Sequence, residues 1–412
     1  MHHFEMKNGT LYVEGVSVKE LAQRYGTPLY IYSTATLKRH YQAFDSAFDA
    51  VPHLTCYSVK ANSNLAVLRL LASLGAGMDI VSGGELYRAL LAGVPAERIV
   101  YSGVGKKAPE IAQALNAGIL MFNVESVQEL IRINDVARDL GKKAQVSFRI
   151  NPDVDPKTHP YISTGMKKNK FGLNIESALD AYAMARDLPA IEPVGIDCHI
   201  GSQLTTIEPF LEALDKLLAF YEKLKGMNLD IRYLDLGGGL GIPYNEEEPP
   251  HPKEFGAALT KALAGIPLKV VLEPGRVIVG NAGILVTEVL YTKQTPSKSF
   301  VIVDAAMNDL VRPSLYGSFH RIEEVEPQGR GAQDVDVVGP ICESGDFLAK
   351  DRMLPEVRQG ELLAVYSAGA YGFTMSSNYN TRTRAAELLV DGENVTVARR
   401  RETFESLVAH EI

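Results

Sequence analysis

Four short stretches carry side chains whose types and spacing could do chemistry. Lys60 ends the apolar run LTCYSV (54–59) and stands before an Asn/Ser-rich corner. His199 ends VGIDCH (194–199), DLGGGLG covers 235–241, and EPGR covers 273–276. An amine at the end of a buried strand loses hydration, which lowers its proton affinity and suits it to act as a nucleophile or Schiff-base former; on an open surface it would only snorkel. His199 reads equally as a satisfied core histidine or as a neutral ring lying flat against an aromatic ligand. Gly237, Gly238 and Gly239 make either a tight turn or, together with Gly275, a nest of backbone N–H groups for a dianion. Glu273, between a β-branched run and Pro-Gly, needs a buried partner, and a protonated ring nitrogen would serve. Amine, flat imidazole, anion nest and carboxylate add up to a pocket for pyridoxal phosphate. No metal is expected: the nine histidines are scattered and no H-E-x-x-H pattern occurs.

The elements that must position these groups follow from periodicity. Residues 54–280 repeat a β-branched run, a Gly/Ser/Asn turn and a helical stretch. Strands are predicted at 54–59, 77–81, 98–102, 120–124, 145–150, 194–199, 231–236 and 268–272. Helices are predicted at 64–74, 84–92, 107–117, 208–225 and 253–264, with Ser126 and Glu129 as a capping box. Eight strands with helical crossovers predict a parallel (β/α)8 barrel, and the four chemical stretches would then share its C-terminal mouth. An open doubly wound sheet is the competing layout, disfavoured because candidate residues recur at many strand ends. After residue 280 the segments GILVTEVLYTKQ (283–294), KSFVIVDAA (298–306), DVDVVGPI (334–341), ELLAVYSAGAYG (361–372), RAAELLVDG (384–392) and ENVTVARR (393–400) read as strands with few long helices between them, predicting a mainly antiparallel β domain. TPLYIYS (27–33) is strand-like and could pair with it. The expected domains are therefore 34–280, the barrel, and 1–33 with 281–412, a discontinuous β domain. The polar segment HPYISTGMKKNKFG (159–172) is a candidate cover for the mouth.

Bulk properties narrow the function classes. The 412 residues suffice for two domains, and 46% apolar with 22% charged residues excludes global disorder. A net charge of −8 gives no hint of nucleic-acid binding. The longest apolar stretches are broken by charges, so no membrane span is expected. Cys56, Cys198 and Cys342 are odd in number and widely spaced, which points to the cytoplasm and leaves room for one functional thiol.

The ordered set YSVKAN (57–62), SGGEL (82–86), HIGSQ (199–203), LDLGGGLGIPY (234–244), EPGR (273–276) and GPICESGD (339–346) resembles the fold-type III pyridoxal-phosphate decarboxylases, and within them the branch acting on diaminopimelate. The likeness runs from about residue 25 to 385. It implies that Lys60 bonds to the cofactor, His199 stacks on its ring, Glu273 faces the ring nitrogen and Asp79 lies nearby. It implies a phosphate site from Ser202, Gly238, Gly239 and the Gly275–Arg276 backbone, with Tyr371 reaching it from the second domain. Arg276, Arg312 and Tyr316, with Tyr371, would bind substrate. Cys342 would be the proton donor and Glu343 the reader of a distal ammonium, both supplied by the neighbouring subunit of a homodimer. The expected reaction is decarboxylation of meso-2,6-diaminopimelate to L-lysine, with ornithine, arginine or carboxynorspermidine as alternative substrates. A carboxylate at 273 deepens an electron sink, whereas a guanidinium there would suit a racemase.

Overall fold

The computed structural model describes residues 2–155, 158–159, 162, 164–165 and 169–411. Of the segment 159–172, the candidate cover, residues 160–161, 163 and 166–168 lie outside the described residues. The chain divides into two compact units: 41–242 with 248–277, and 1–40 with 243–247 and 278–412. The sequence reading puts the boundaries at 33/34 and 280/281; the division falls at 40/41 and 277/278, and the short segment 243–247 goes with the second unit.

The first unit is a closed barrel of eight parallel strands: β1 (His53–Ser58), β2 (Gly77–Ile80), β3 (Ile99–Tyr101), β4 (Met121–Val124), β5 (Ala144–Asn151), β6 (Ile191–Asp197), β7 (Tyr233–Asp235) and β8 (Lys269–Leu272). Each strand pairs in parallel with the next, and β8 pairs with β1 to close the ring. Helices fill the crossovers, among them Leu65–Ser73, Gly83–Leu91, Ala108–Ala117, Glu208–Lys225 and Pro252–Ala262.

The strand sequences explain how a polar mouth sits on a dry base. Side chains two apart on a strand share a face. Leu54, Cys56, Val100, Met121, Val194 and Val271 form one buried apolar cluster. Two residues on from Cys56, Val100, Met121 and Val271 come Ser58, Ser102, Asn123 and Glu273, all buried and polar. On these four strands the inward face therefore changes from apolar to polar toward the C-terminal end. Helices begin at that end, and their first turns are capped by Asn64, Ser82 and Ser126, each accepting a backbone N–H. The expected box at Ser126 is half made. Ser126 caps Glu129 N–H, but the Glu129 carboxylate turns back to the Glu125 N–H and to buried Lys106, an ion pair stronger than a second cap.

The second unit is mainly antiparallel. Its longest strand, Gly283–Gln294, pairs antiparallel with Ser299–Val303, Leu362–Val365 and Leu29–Ser33. Leu29–Ser33 also pairs in parallel with Ala386–Asp391, so a segment from the start of the chain lies inside this sheet. Ala332–Val338 and Phe347–Pro355 form an antiparallel pair, and a small N-terminal sheet contains Phe4–Lys7, Thr10–Val13 and Val16–Ser17. The sequence reading gives no strand at Phe347–Pro355, where FLAKDRMLP mixes charges into the run. It extends a strand through AYG (370–372), which the structure gives as turn because Ser367 and Tyr371 have positive φ.

Candidate active site

Lys60 sits in the single turn Val59–Ala61 after β1. Its Nζ lies 2.5 Å from Asp79 Oδ2, and Asp79 at the end of β2 is fully buried. Ser58 Oγ ties this pair to the last strand, 2.7 Å from Asp79 Oδ2 and 3.0 Å from the Glu273 carbonyl. The amine is thus fixed from its own strand end and from both neighbouring strands.

Glu273 follows β8 and is buried. Its Oε1 accepts from Ser102 Oγ and from Asn123 Nδ2, each at 3.2 Å, and Asn123 also donates to Asp235 Oδ2 at 3.1 Å. Ser147 Oγ donates to Asn123 Oδ1, which orients the amide. Asp197, Asp235 and Glu273 bring carboxylate oxygens within 4.8 Å of one another. Burial is the main cause that pushes the Glu273 carboxyl well above its usual range, and Asp235 and Asp79 add to it while Lys60 and Arg149 oppose. Asp235 is raised to about 8, first by burial and then by Asp197. Asp197 is raised by the same two effects, burial and then Glu273. Such a group attracts a cation. The sequence reading expects no metal here, and three convergent carboxyls could by spacing accept either a metal ion or a pyridinium.

His199 follows β6. Its Nδ1 accepts the Gly238 N–H at 3.2 Å, and its carbonyl accepts from Arg149 Nη2 at 3.2 Å and Thr164 Oγ1 at 2.8 Å. Burial, then Arg149 and Lys60, push its pKa well down, so the ring is neutral. The glycine turn has a structural role that the sequence leaves open. A Cβ on Gly238 would lie 2.1 Å from the Glu273 carbonyl oxygen, and one on Gly237 would lie 2.7 Å from His199 Nδ1. The Gly237 amide is also committed, to Asp235 Oδ1 at 2.9 Å. The run therefore packs His199 against the Glu273 strand end, and of its three amides only that of Gly239 has no acceptor among the described residues. Arg276 is buried and donates from Nη2 to Ser202 Oγ at 3.0 Å, which joins two expected phosphate residues.

Several residues of this site are absent from the sequence reading. Arg149 pairs with buried Glu125 at 2.9 Å and packs over Phe171. Glu125 also accepts the Gly172 N–H at 2.7 Å. Asn123 and Ser102 donate to Glu273, and Asp197 and Asp235 crowd it with like charge. Their signal was available: each is a polar residue ending an otherwise apolar strand, which burial tolerates only with a partner.

Arg312, Tyr316, Cys342, Glu343 and Tyr371 belong to the second unit. Arg312 is buried, with its guanidinium 4.7 Å from the Tyr244 ring and 5.9 Å from the Tyr316 ring, and it donates to Ser318 Oγ at 3.1 Å. Cys342 is the exposed cysteine; Cys56 and Cys198 are buried and burial raises both thiols. Tyr371 has φ +54°, a strained setting that fixes its direction.

A parallel barrel that gathers an amine, a neutral imidazole and a buried carboxyl at its C-terminal mouth defines a pyridoxal-phosphate enzyme. Residues 34–280 match the family model of the pyridoxal-dependent decarboxylases, pyridoxal binding domain. The chain is 54% identical over 412 residues to the diaminopimelate decarboxylase of Pseudomonas fluorescens, covering 100% of this chain and 99% of the relative. A solved structure from Aquifex aeolicus superposes with a TM-score of 0.93 at 50% identity, covering 100% of this chain and 98% of that one. The diaminopimelate decarboxylase of Helicobacter pylori, solved with L-lysine, gives 0.93 at 46% identity over 95% of this chain and 98% of that one. The chain belongs to the pyridoxal-dependent decarboxylases.

Proposed function

We propose that the chain decarboxylates meso-2,6-diaminopimelate to L-lysine and CO2 with pyridoxal 5'-phosphate. The observation that carries this is the full-length identity to diaminopimelate decarboxylases, joined to the cluster of Lys60, His199 and Glu273 at one barrel mouth. The residues fit the cofactor: an amine already held by a buried carboxylate, a neutral ring for stacking, and an acid group with no ion pair among the described residues. Lys60 would hold the cofactor covalently and Glu273 its ring nitrogen. Ser202, Gly239 and the Gly275–Arg276 backbone would hold its phosphate, with Tyr371. Bound there, the cofactor supplies an electron sink for the electrons of the broken C–C bond.

The protein's own groups do the rest. Asp79 orients the Lys60 amine. The buried carboxyls beside Glu273 favour a proton at the ring nitrogen. Cys342 donates a proton to the α-carbon after CO2 leaves. Arg276 and Arg312 complement the substrate's distal carboxylate, which ornithine or lysine would leave unmatched, and Glu343 complements its distal ammonium. Cys342 and Glu343 act on the partner's cofactor in a homodimer, so the second unit completes the site across the interface. The three free, widely spaced cysteines support a cytoplasmic setting. Among the described residues no helix is long and apolar enough to cross a membrane.

The test is CO2 release from purified protein with cofactor and meso-diaminopimelate, with lysine identified as product. Equal or faster turnover of ornithine, arginine or carboxynorspermidine would overturn the substrate choice.

A further inference from the structure

Cys342 and Glu343 lie in the turn between the strands Ala332–Val338 and Phe347–Pro355. One side of that turn is closed by buried Asp346, which accepts the Ile341 N–H and the Met307 N–H, each at 2.7 Å. The other side meets two consecutive residues of a distant segment. Tyr379 Oη donates to Glu343 Oε2 at 2.8 Å, and Asn380 Oδ1 accepts the Cys342 N–H at 2.9 Å. Residues 379 and 380 thus grip residues 343 and 342 in antiparallel order.

This clasp is built rather than incidental. Asn380 and Thr381 both take left-handed backbone, φ +55° and +56°, which is unfavourable for residues other than glycine. The segment is anchored to the same unit by Ser377 N–H to the Asn308 carbonyl at 2.9 Å. Asn378 Nδ2 adds a bond to Glu402 Oε2 at 2.6 Å, and Arg382 Nη2 one to the Asp304 carbonyl at 2.6 Å. Anchors on both sides over-determine the strained pair, and what the strain achieves is the aim of the two side chains. A Glu343 side chain left exposed would sample several rotamers, and fixing it on substrate binding would cost affinity. With Oε2 held by a phenol, Oε1 stays available to a cation.

We propose that Tyr379 and Asn380 are positioning residues that set substrate specificity by holding Glu343 and the Cys342 backbone as one preformed unit. The proposal rests on the reading of Glu343 as the group that meets the substrate's distal ammonium.

Tyr379→Phe removes the donor alone, at an exposed ring where folding is not at risk. The expected result is a KM for meso-diaminopimelate raised roughly five- to tenfold with kcat within about twofold. For 2-aminopimelate, which lacks the distal amine, KM should be unchanged, a split that loss of fold would not produce. In a Glu343→Gln background the same change should have no further effect. Asn380→Gly keeps the left-handed backbone and removes the acceptor; kcat/KM should fall about tenfold, and Asn380→Asp, which keeps an acceptor, should recover it to within about twofold. A Tyr379→Phe enzyme with unchanged KM beside a Glu343→Gln enzyme with raised KM overturns the clasp and leaves the substrate assignment standing. A Glu343→Gln enzyme with unchanged KM overturns the reading beneath it.

Discussion

Lys60 pairs with a buried carboxylate, and the covalent role proposed for it requires the amine to leave that partner without losing its place. Replacing it with alanine leaves Ser58 as the side-chain partner of buried Asp79 among the described residues. Activity should fall by about 10³-fold or more, and protein mixed with cofactor should lack the borohydride-sensitive absorbance of a lysine-bound pyridoxal, as a spectrum before and after reduction would show. A second expectation at this scale comes from Asp235. Burial and then Asp197 raise its folded pKa to about 8 from 3.8, Asp79 adds to this, and hydrogen bonds from the Gly237 N–H and Asn123 oppose it. Between those values the folded state holds a proton that the unfolded state has released, so stability falls as pH rises through that window, by at most about 1.4 kcal/mol per pH unit for one group. The thermal midpoint of cofactor-free protein should therefore drop from about pH 5 to pH 8, and Asp235→Asn should flatten the slope; a slope unchanged by that variant contradicts the assignment. The sequence made Lys60, His199 and Glu273 legible because each type is unusual at a strand end. It could not show that Glu273 shares a donor with Asp235, since Asn123 joins them from a third strand.

At the scale of elements, the mouth depends on how closely neighbouring strand ends approach. Gly238 lies so near the Glu273 backbone that a methyl group has no room, and the obstructing atom is a carbonyl that cannot swing aside. Gly238→Ala should lower stability by about 3 kcal/mol in urea denaturation and weaken cofactor binding together with it. The clamp from β5 to β4 behaves differently. Arg149→Met leaves Glu125 buried without its guanidinium partner, an expected cost of about 3–5 kcal/mol, and adding Glu125→Leu should recover most of it in the same assay. Strand and helix positions in the barrel were readable because burial on both faces gives compact β-branched runs, and because Asn or Ser caps mark where helices start. The clamp was not readable: a strand-end arginine gives no sign of which carboxylate it meets, and here that partner is 24 residues away. The strand Phe347–Pro355 was missed for a related reason, since its exposed face is charged and the alternation is irregular.

At the scale of the whole molecule, the proposed function requires Lys60 of the barrel unit and Cys342 of the β unit to be brought together by a homodimer. The order of motifs along the chain already separates these groups by about 280 residues, and the chain divides between them. Lys60→Ala and Cys342→Ala enzymes should each be nearly inactive alone. Mixed, dissociated and reassociated in equal amounts, they should form hybrids for about half of the dimers, and each hybrid should contain one site with both groups intact. Activity should then return to about a quarter of that of the unaltered protein, and it should depend on total concentration as the dimer forms. If both groups instead came from one chain, every site in the mixture would lack one of them and no activity would return at any mixing ratio.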